Sequence, residues 1–330
     1  MNKVILSYSV LLVAKTLMAD HPTVSFGGNT GAINTISAQI LNSGDFALGL
    51  RSEYIKNKAF SNDFIESSVA SGIEDVHSID TLQTHSLSMA YGLSDMLMLS
   101  LNLLYISRNN IRAGEEENGV PEVHHHGDSE GIGDMTALLQ YKMYDTDDMQ
   151  FSIFYGLKLP IGTTDIHDGN ELLELDLQPG SGSWDILAGM AWSQSLGIFS
   201  IDTNLLYQYT TEGKQETTLG DLLNYNIAFA YSLVEIEESD QHSKSHHDSL
   251  AFGVDVFVEL NGEYRQKDSI SGIENDNTGG NVLYLSIGTR LTTNKSFNAF
   301  ALVSLPMLEN LYGLQTDNDY KMVLGVGYSF

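Results

Sequence analysis

From Phe46 to the C terminus the chain repeats one pattern. Stretches of about ten residues alternate apolar side chains with small or polar ones, and turn-rich segments separate them. Alternation with period two puts each set on its own face of a strand. In the last stretch Tyr320, Met322, Leu324, Val326, Tyr328 and Phe330 share one face, while Lys321, Val323, Gly325, Gly327 and Ser329 share the other. Phe46, Leu48, Leu50 and Tyr54 oppose Ala47, Gly49, Arg51 and Glu53 in the same way. Further stretches start near Leu97, Met135, Phe151, Trp184, Phe199 and Phe252.

A soluble sheet also alternates, so the alternation alone leaves two architectures open. Three details favour a membrane. Aromatic residues sit at stretch ends, as at Tyr54, Tyr105, Trp184, Trp192 and Tyr209, where interfacial girdles belong. The polar faces are rich in Gly, Ser, Asn and Ala rather than in the Lys and Glu of a solvated surface. Connections alternate in length: Ser94-Asp95, Asp145 to Asp148, Leu196-Gly197 and Thr293 to Ser296 are short. Those near 57–80, 110–131, 161–181, 211–220, 265–280 and 307–319 are long. Beyond the N terminus nothing approaches the roughly 18 apolar residues of a membrane helix, and the other spanning form is a closed barrel. The pattern predicts an all-β, antiparallel, up-and-down transmembrane barrel over residues 45–330, with about twelve strands, in a Gram-negative outer membrane. Short turns belong to the periplasmic side. Val234 to Ser249 falls on that side and is long, acidic and His-containing, an extended periplasmic turn.

The two ends carry their own signals. Met1-Asn2-Lys3, an apolar run from Val4 to Ala14 and a polar stretch from Asp20 read as a signal peptide over residues 1–19. Lys15 and Leu17 depart from that pattern, and a buried N-terminal helix or strand is the alternative. Residues 20–44 are expected to stay in the periplasm or plug the lumen. At the other end Leu324, Val326, Tyr328 and Phe330 resemble the closing-strand signal by which the barrel-assembly machinery takes up outer-membrane proteins.

Charge then limits the partners. The chain carries 16 Lys and Arg against 43 Asp and Glu, a net −27, with its basic residues scattered, so no nucleic-acid surface is expected. The expected lumen face holds both signs: Arg51, Glu53, Lys142, Lys158, Asp185, Asp202, Asp255, Glu259, Glu263, Arg265 and Arg290. Most of the acidic excess therefore lies in loops and turns. There it either concentrates cations as a funnel or keeps the loops solvated and bridged to lipopolysaccharide through divalent ions. His124, His125 and His126 with Asp128, and His242, His246 and His247, are candidate sites for a loosely held divalent metal. A solvated, His-rich loop explains the same residues. The topology puts the first cluster outside and the second in the periplasm. No cofactor beyond such a metal is expected.

Enzymatic chemistry finds no anchor. P-loop, G-x-S-x-G and H-E-x-x-H patterns are missing, and Gly27 to Ala32 opens no helix. His85 and His167 lie near expected strand ends without an evident nucleophile beside them.

Several segments resemble a known family: NTISAQ at 34–39, the run 86–112, GDSEGIGDMTALLQYK at 127–142, YGLKLPIGTTD at 155–165, LQPGSGSWDILAGMAWSQ at 177–194 and YLSIGTRL at 284–291. They resemble the outer-membrane proteins labelled "putative meta-pathway of phenol degradation", often called transporters. The resemblance implies a passive or facilitated channel for a small solute, an aromatic compound or a metal-linked substrate, and brings no catalytic residues. The rival expectation is a capture or structural barrel that holds metal at its His-rich acidic loops.

Overall fold

The computed structural model describes residues 31–73, 76–117, 119–234, 252–293 and 297–330. Twelve long strands make up the wall: β1 (Phe46–Asn57), β2 (Thr81–Ser94), β3 (Leu97–Glu117), β4 (Val120–Asp145), β5 (Met149–Leu159) and β6 (Asp185–Leu196). They continue with β7 (Phe199–Tyr209), β8 (Leu222–Val234), β9 (Phe252–Arg265), β10 (Gly280–Thr293), β11 (Phe297–Leu311) and β12 (Asn318–Ser329). Each strand pairs antiparallel with the next, and β12 returns to β1, so no edge is left. The seam is held to its last residue: Phe46 N–H donates to Phe330 O at 2.8 Å and Phe330 N–H to Phe46 O at 2.9 Å. Closure removes the unpaired sheet edge where lipid offers no partner.

The two faces separate as the alternation requires. On β12 Leu324 is 62% exposed while its neighbour Val323 is fully buried. Outward-facing Leu50, Tyr155, Ile186, Ile287 and Leu305 likewise stand free of protein, which for a barrel wall means contact with lipid. Among the described residues no helix is long and apolar enough to cross a membrane; strands make the crossing.

The rim with the β2–β3, β4–β5 and β6–β7 turns is tight and is the periplasmic side. The signal expected over 1–19 lies outside the described residues, as do His242, His246 and His247. The opposite rim differs from expectation at 110–131. Instead of a loop, β3 and β4 run on as a hairpin, with Glu115 opposite Glu122 and Glu117 opposite Val120. The hairpin stands outside the bilayer, where neither face need be apolar, so it shows no hydropathy alternation. Beside it, the β1–β2 connection forms helix α1 (Asn62–Ala70), whose first turn is capped by Ser61 accepting from Phe64 N–H at 3.2 Å.

Candidate functional site

The lumen is obstructed from both ends. At the periplasmic side residues 31–44 rise inside the barrel and return to the rim. Gly31 O accepts from Arg290, Ile33 to Thr35 meet Glu259, Ser37 and Ala38 meet Ser193, and Gly44 N–H reaches Gly92 O at 2.8 Å. Glu259 is the main acceptor. It takes Ile33 N–H at 2.8 Å, Asn34 N–H at 3.0 Å and Thr35 Oγ–H at 2.9 Å. Arg51 donates to Ile33 O at 3.1 Å and to Asn34 Oδ1 at 2.7 Å, and Asn204 Oδ1 accepts Ile36 N–H at 2.9 Å. A segment without secondary structure has to find partners for its backbone this way. Apolar packing adds to it: Ile33 joins Phe257, Phe300 and Val323, while Ile36 joins Phe154, Leu187 and Leu206. Full burial of each isoleucine contributes about 1.5–3 kcal/mol. Where the segment leaves the lumen, a Cβ on Gly92 would fall 1.9 Å from Asn42 O, so only glycine fits the rim there.

From outside, the β5–β6 connection (160–184) folds inward as a cap. Leu173 and Leu177 pack on Ile79 and Ile111, and Leu175 is buried as well. Gln178 clamps the loop to itself, accepting Ile166 N–H at 3.0 Å and donating to Ile166 O and Leu173 O, each at 2.9 Å. Arg108 donates to Gln178 O at 3.2 Å and Ser129 to Leu177 O at 2.7 Å. The glycines have a steric role: a Cβ on Gly180 would lie 2.6 Å from Gly162 Cα, where the loop touches itself. The foot of the cap stands on Asp134, which accepts from Gly162 N–H at 3.0 Å and from Ser181 N–H at 2.9 Å. Lys158 ion-pairs with Asp185 and lies 3.6 Å from Asp134.

Between plug and cap, among the described residues, lie two small cavities of mixed polar and apolar lining. One cavity of about 70 Å³ lies under Pro179 to Ser181, among Asp134, Lys158, Gln208 and Arg265. Another of about 30 Å³ lies above Asn34 and Ile36, among Asn204, Asn226, Asn261, Glu263 and Lys321. Glu263 and Arg265, 3.8 Å apart, stand between the two. Asn204 Nδ2, Glu263 Oε1, Arg265 Nε and Tyr284 Oη are buried there, each lacking a hydrogen-bonding partner among the described residues. Buried polar atoms of this kind face water or a polar ligand. A larger furrow of about 710 Å³ runs on the outer face along Leu50, Leu87, Leu103, Tyr105, Ile132 and Leu324, a lipid-facing surface.

The expected lumen residues fall into three places. Arg51, Glu259 and Arg290 hold the plug, with Asp202 beside it through Ser193 and Asp255 paired to Arg290 at 3.2 Å. Glu53 lies against Arg51 at 2.7 Å and Lys321 at 3.6 Å. Lys158 and Asp185 support the cap, and Lys142 pairs with Asp145 at the periplasmic rim. Leu324, Val326 and Tyr328 point outward on β12, and Phe330 just after it is exposed as well.

The external histidines do not all converge: His124 and His126 stack with ring centroids 6.4 Å apart, and His125 turns away. His124 faces Glu115 at 4.0 Å, His125 approaches Asn62 of α1, and His126 contacts Asp168 of the cap at 3.0 Å. Asp128 is taken up by Asn110 N–H at 2.8 Å, beside a left-handed backbone at Asn110. His85 sits on the outward face next to Tyr105, and His167 contacts Asp165 O at 2.8 Å. Asp134, Gln178, Asn204 and Lys321 stood outside the expected site. Asp134, Asn204 and Lys321 lie on inward strand positions, a signal that polarity at a lumen-facing register could have supplied, whereas Gln178 lies in the cap loop, where no register applies.

Comparison with known proteins agrees with this architecture. The family model described as "Putative MetA-pathway of phenol degradation" matches residues 104–305, well over half of the chain. The COG4313 outer membrane channel from Pseudomonas putida F1 superposes with a TM-score of 0.57 at 11% identity, over 91% of this chain and 100% of its own. LpxR from Salmonella typhimurium overlays more loosely, with a TM-score of 0.45 at 10% identity over 86% and 99% of the two chains. No functionally curated protein matches the chain. The closed twelve-strand wall and the matching fold are those of an outer-membrane β-barrel. The chain belongs to the outer-membrane family described as "Putative MetA-pathway of phenol degradation".

Proposed function

We propose that the barrel passes a small solute across the outer membrane by a passive or facilitated route, gated by the plug below and the cap above. The observation that carries this reading is the set of buried polar atoms between the gates, at Asn204, Tyr284, Glu263 and Arg265, that lack a hydrogen-bonding partner among the described residues. A purely structural barrel gains nothing from leaving them unpaired, since each costs about 1–3 kcal/mol when unsatisfied. The lining pairs amides and ion pairs with Leu206, Leu219, Leu222 and Tyr284. It suits a compact molecule with an apolar body and a hydrogen-bonding group, a hydroxylated aromatic among them. The cavities hold little more than water, so passage requires plug or cap to move. Lipid and lipopolysaccharide surround the wall, and the assembly machinery recognises the outward row ending in Phe330. Single-channel recording in planar bilayers tests the reading. Brief openings that lengthen when the plug is removed support it; a silent barrel in both forms, with no substrate-dependent uptake by cells, overturns it.

The capture reading has one observation of its own. On one face of the outer hairpin Glu117, Glu122 and His124 come close enough for a shared ion. All three are solvent-accessible, which suits loose capture.

A further inference from the structure

Outside the solute path, two distant outer segments bring three ligand-type side chains together. His77 lies in a short strand, Val76–Ser78, hydrogen-bonded to the outer part of β3. Glu174 and Asp176 come from the cap, at the 3₁₀ turn Leu175–Leu177. His77 Nε2 is 3.6 Å from Glu174 Oε2, and His77 Nδ1 is 3.6 Å from Asp176 Oδ2. One ligand atom from each of the three residues can be chosen so that all lie within 4.8 Å of one another. We propose that His77, Glu174 and Asp176 form a binding site for a divalent transition-metal ion of the zinc or nickel class, which fastens the cap in its inward position.

The donor set supports that class. One imidazole nitrogen with two carboxylates suits borderline ions, and a neutral imidazole with two carboxylates balances a double positive charge. Water completes the shell from the open side, where Glu174 is half exposed. The framework is set in advance: Leu177 anchors the turn in the apolar cluster that Ile79, next to the strand, also enters, and Leu175 of the same turn is buried as well. Arg108 also acts on Asp176 and opposes a further cation, so binding is moderate rather than tight. The site uses none of His124, His125 and His126.

Calorimetric titration of zinc chloride, then nickel chloride, into the full chain in detergent micelles at neutral pH tests the proposal. The expected result is one equivalent of metal bound, weakened at least the roughly 10–100-fold of a lost second-shell partner by Glu174→Gln or by Asp176→Asn. Replacing His124, His125 and His126 together by Ala leaves that equivalent in place. As a second readout, zinc slows protease cleavage within 160–174 on intact cells carrying the parent chain and not on cells carrying Glu174→Gln. Heat-modifiable migration on gels reports whether each variant still forms the barrel, and either carboxylate variant alone suffices. Equal isotherms for the parent and a folded carboxylate variant overturn the proposal. So does metal binding that disappears only when His124 to His126, or His242, His246 and His247, are replaced.

Discussion

The two obstructions of the lumen are built from different materials. The plug is an irregular stretch whose backbone is satisfied by wall residues inside the membrane zone: Glu259, Asn204, Ser193 and Arg51. Its apolar side chains pack on the wall as well. The cap keeps its own scaffold through Gln178 and is pinned to extramembrane elements, partly through His77 and His126. One gate is shielded from the medium, and the other is in contact with it. Salt, protons and metal ions therefore act on the cap and leave the plug nearly untouched.

Removing the plug is the strongest way to break this contrast. Replacing residues 31–41 by a Gly/Ser stretch of equal length should raise single-channel conductance on the order of tenfold, towards the aperture of a barrel between the eight-stranded and porin sizes. Unchanged conductance would show that the cap alone limits flow. Glu259→Ala comes next. It leaves the Ile33, Asn34 and Thr35 donors without their acceptor, at about 1–3 kcal/mol each, and every 1.4 kcal/mol shifts plug occupancy about tenfold. Longer openings with an unaltered melting temperature of the barrel are expected. Gln178→Ala should loosen the cap by a comparable cost per lost bond, read as faster surface proteolysis within 160–184, while the lifetime of plug openings stays as it was.

Acid separates the gates more gently. Burial pushes the Asp176 carboxyl up, but its contact with His77, 3.6 Å away, with the charge of Arg108 adding, brings it below the ordinary value of 3.8. A carboxyl depressed in the folded state stabilises the cap above that ordinary value, and the contribution fades as pH falls through the lower, folded one. Surface proteolysis of the cap should rise across that acid window, and Asp176→Asn should flatten the response. A rise confined to neutral pH would place the sensitivity elsewhere. The smallest effect belongs to the outer charge. With net −27 and Glu115 to Glu117 on the hairpin, the channel should favour cations modestly, measured as a reversal potential in a salt gradient. The preference should shrink as salt rises.

The wall was legible in the chain because lipid imposes a rule on every second residue. Leu324, Val326 and Tyr328 obey it, and so do Leu48 and Leu50 across the seam. Beyond the bilayer the rule lapses, which is why the hairpin around Glu115 and Glu122 read as a loop. The external histidines looked like one cluster because they are adjacent in sequence, yet successive residues of a strand point to opposite faces; His125 consequently parts from His124 and His126. Contacts between remote segments left no local trace. Glu259 and Ile33 are separated by 226 positions, and nothing beside His77 announces Glu174 or Asp176. LQPGSGS stood out in the sequence, but the reason for its glycines is visible only where Gly180 meets Gly162.

The plug continues directly into β1, whose first residue is stitched to the last of the chain at Phe330. A displaced plug is therefore leashed to its own pore mouth. Its return is a first-order event at an effective concentration in the millimolar range, as for any short flexible tether. The open interval then depends on the leash and the docking surface alone, not on how many barrels the membrane holds.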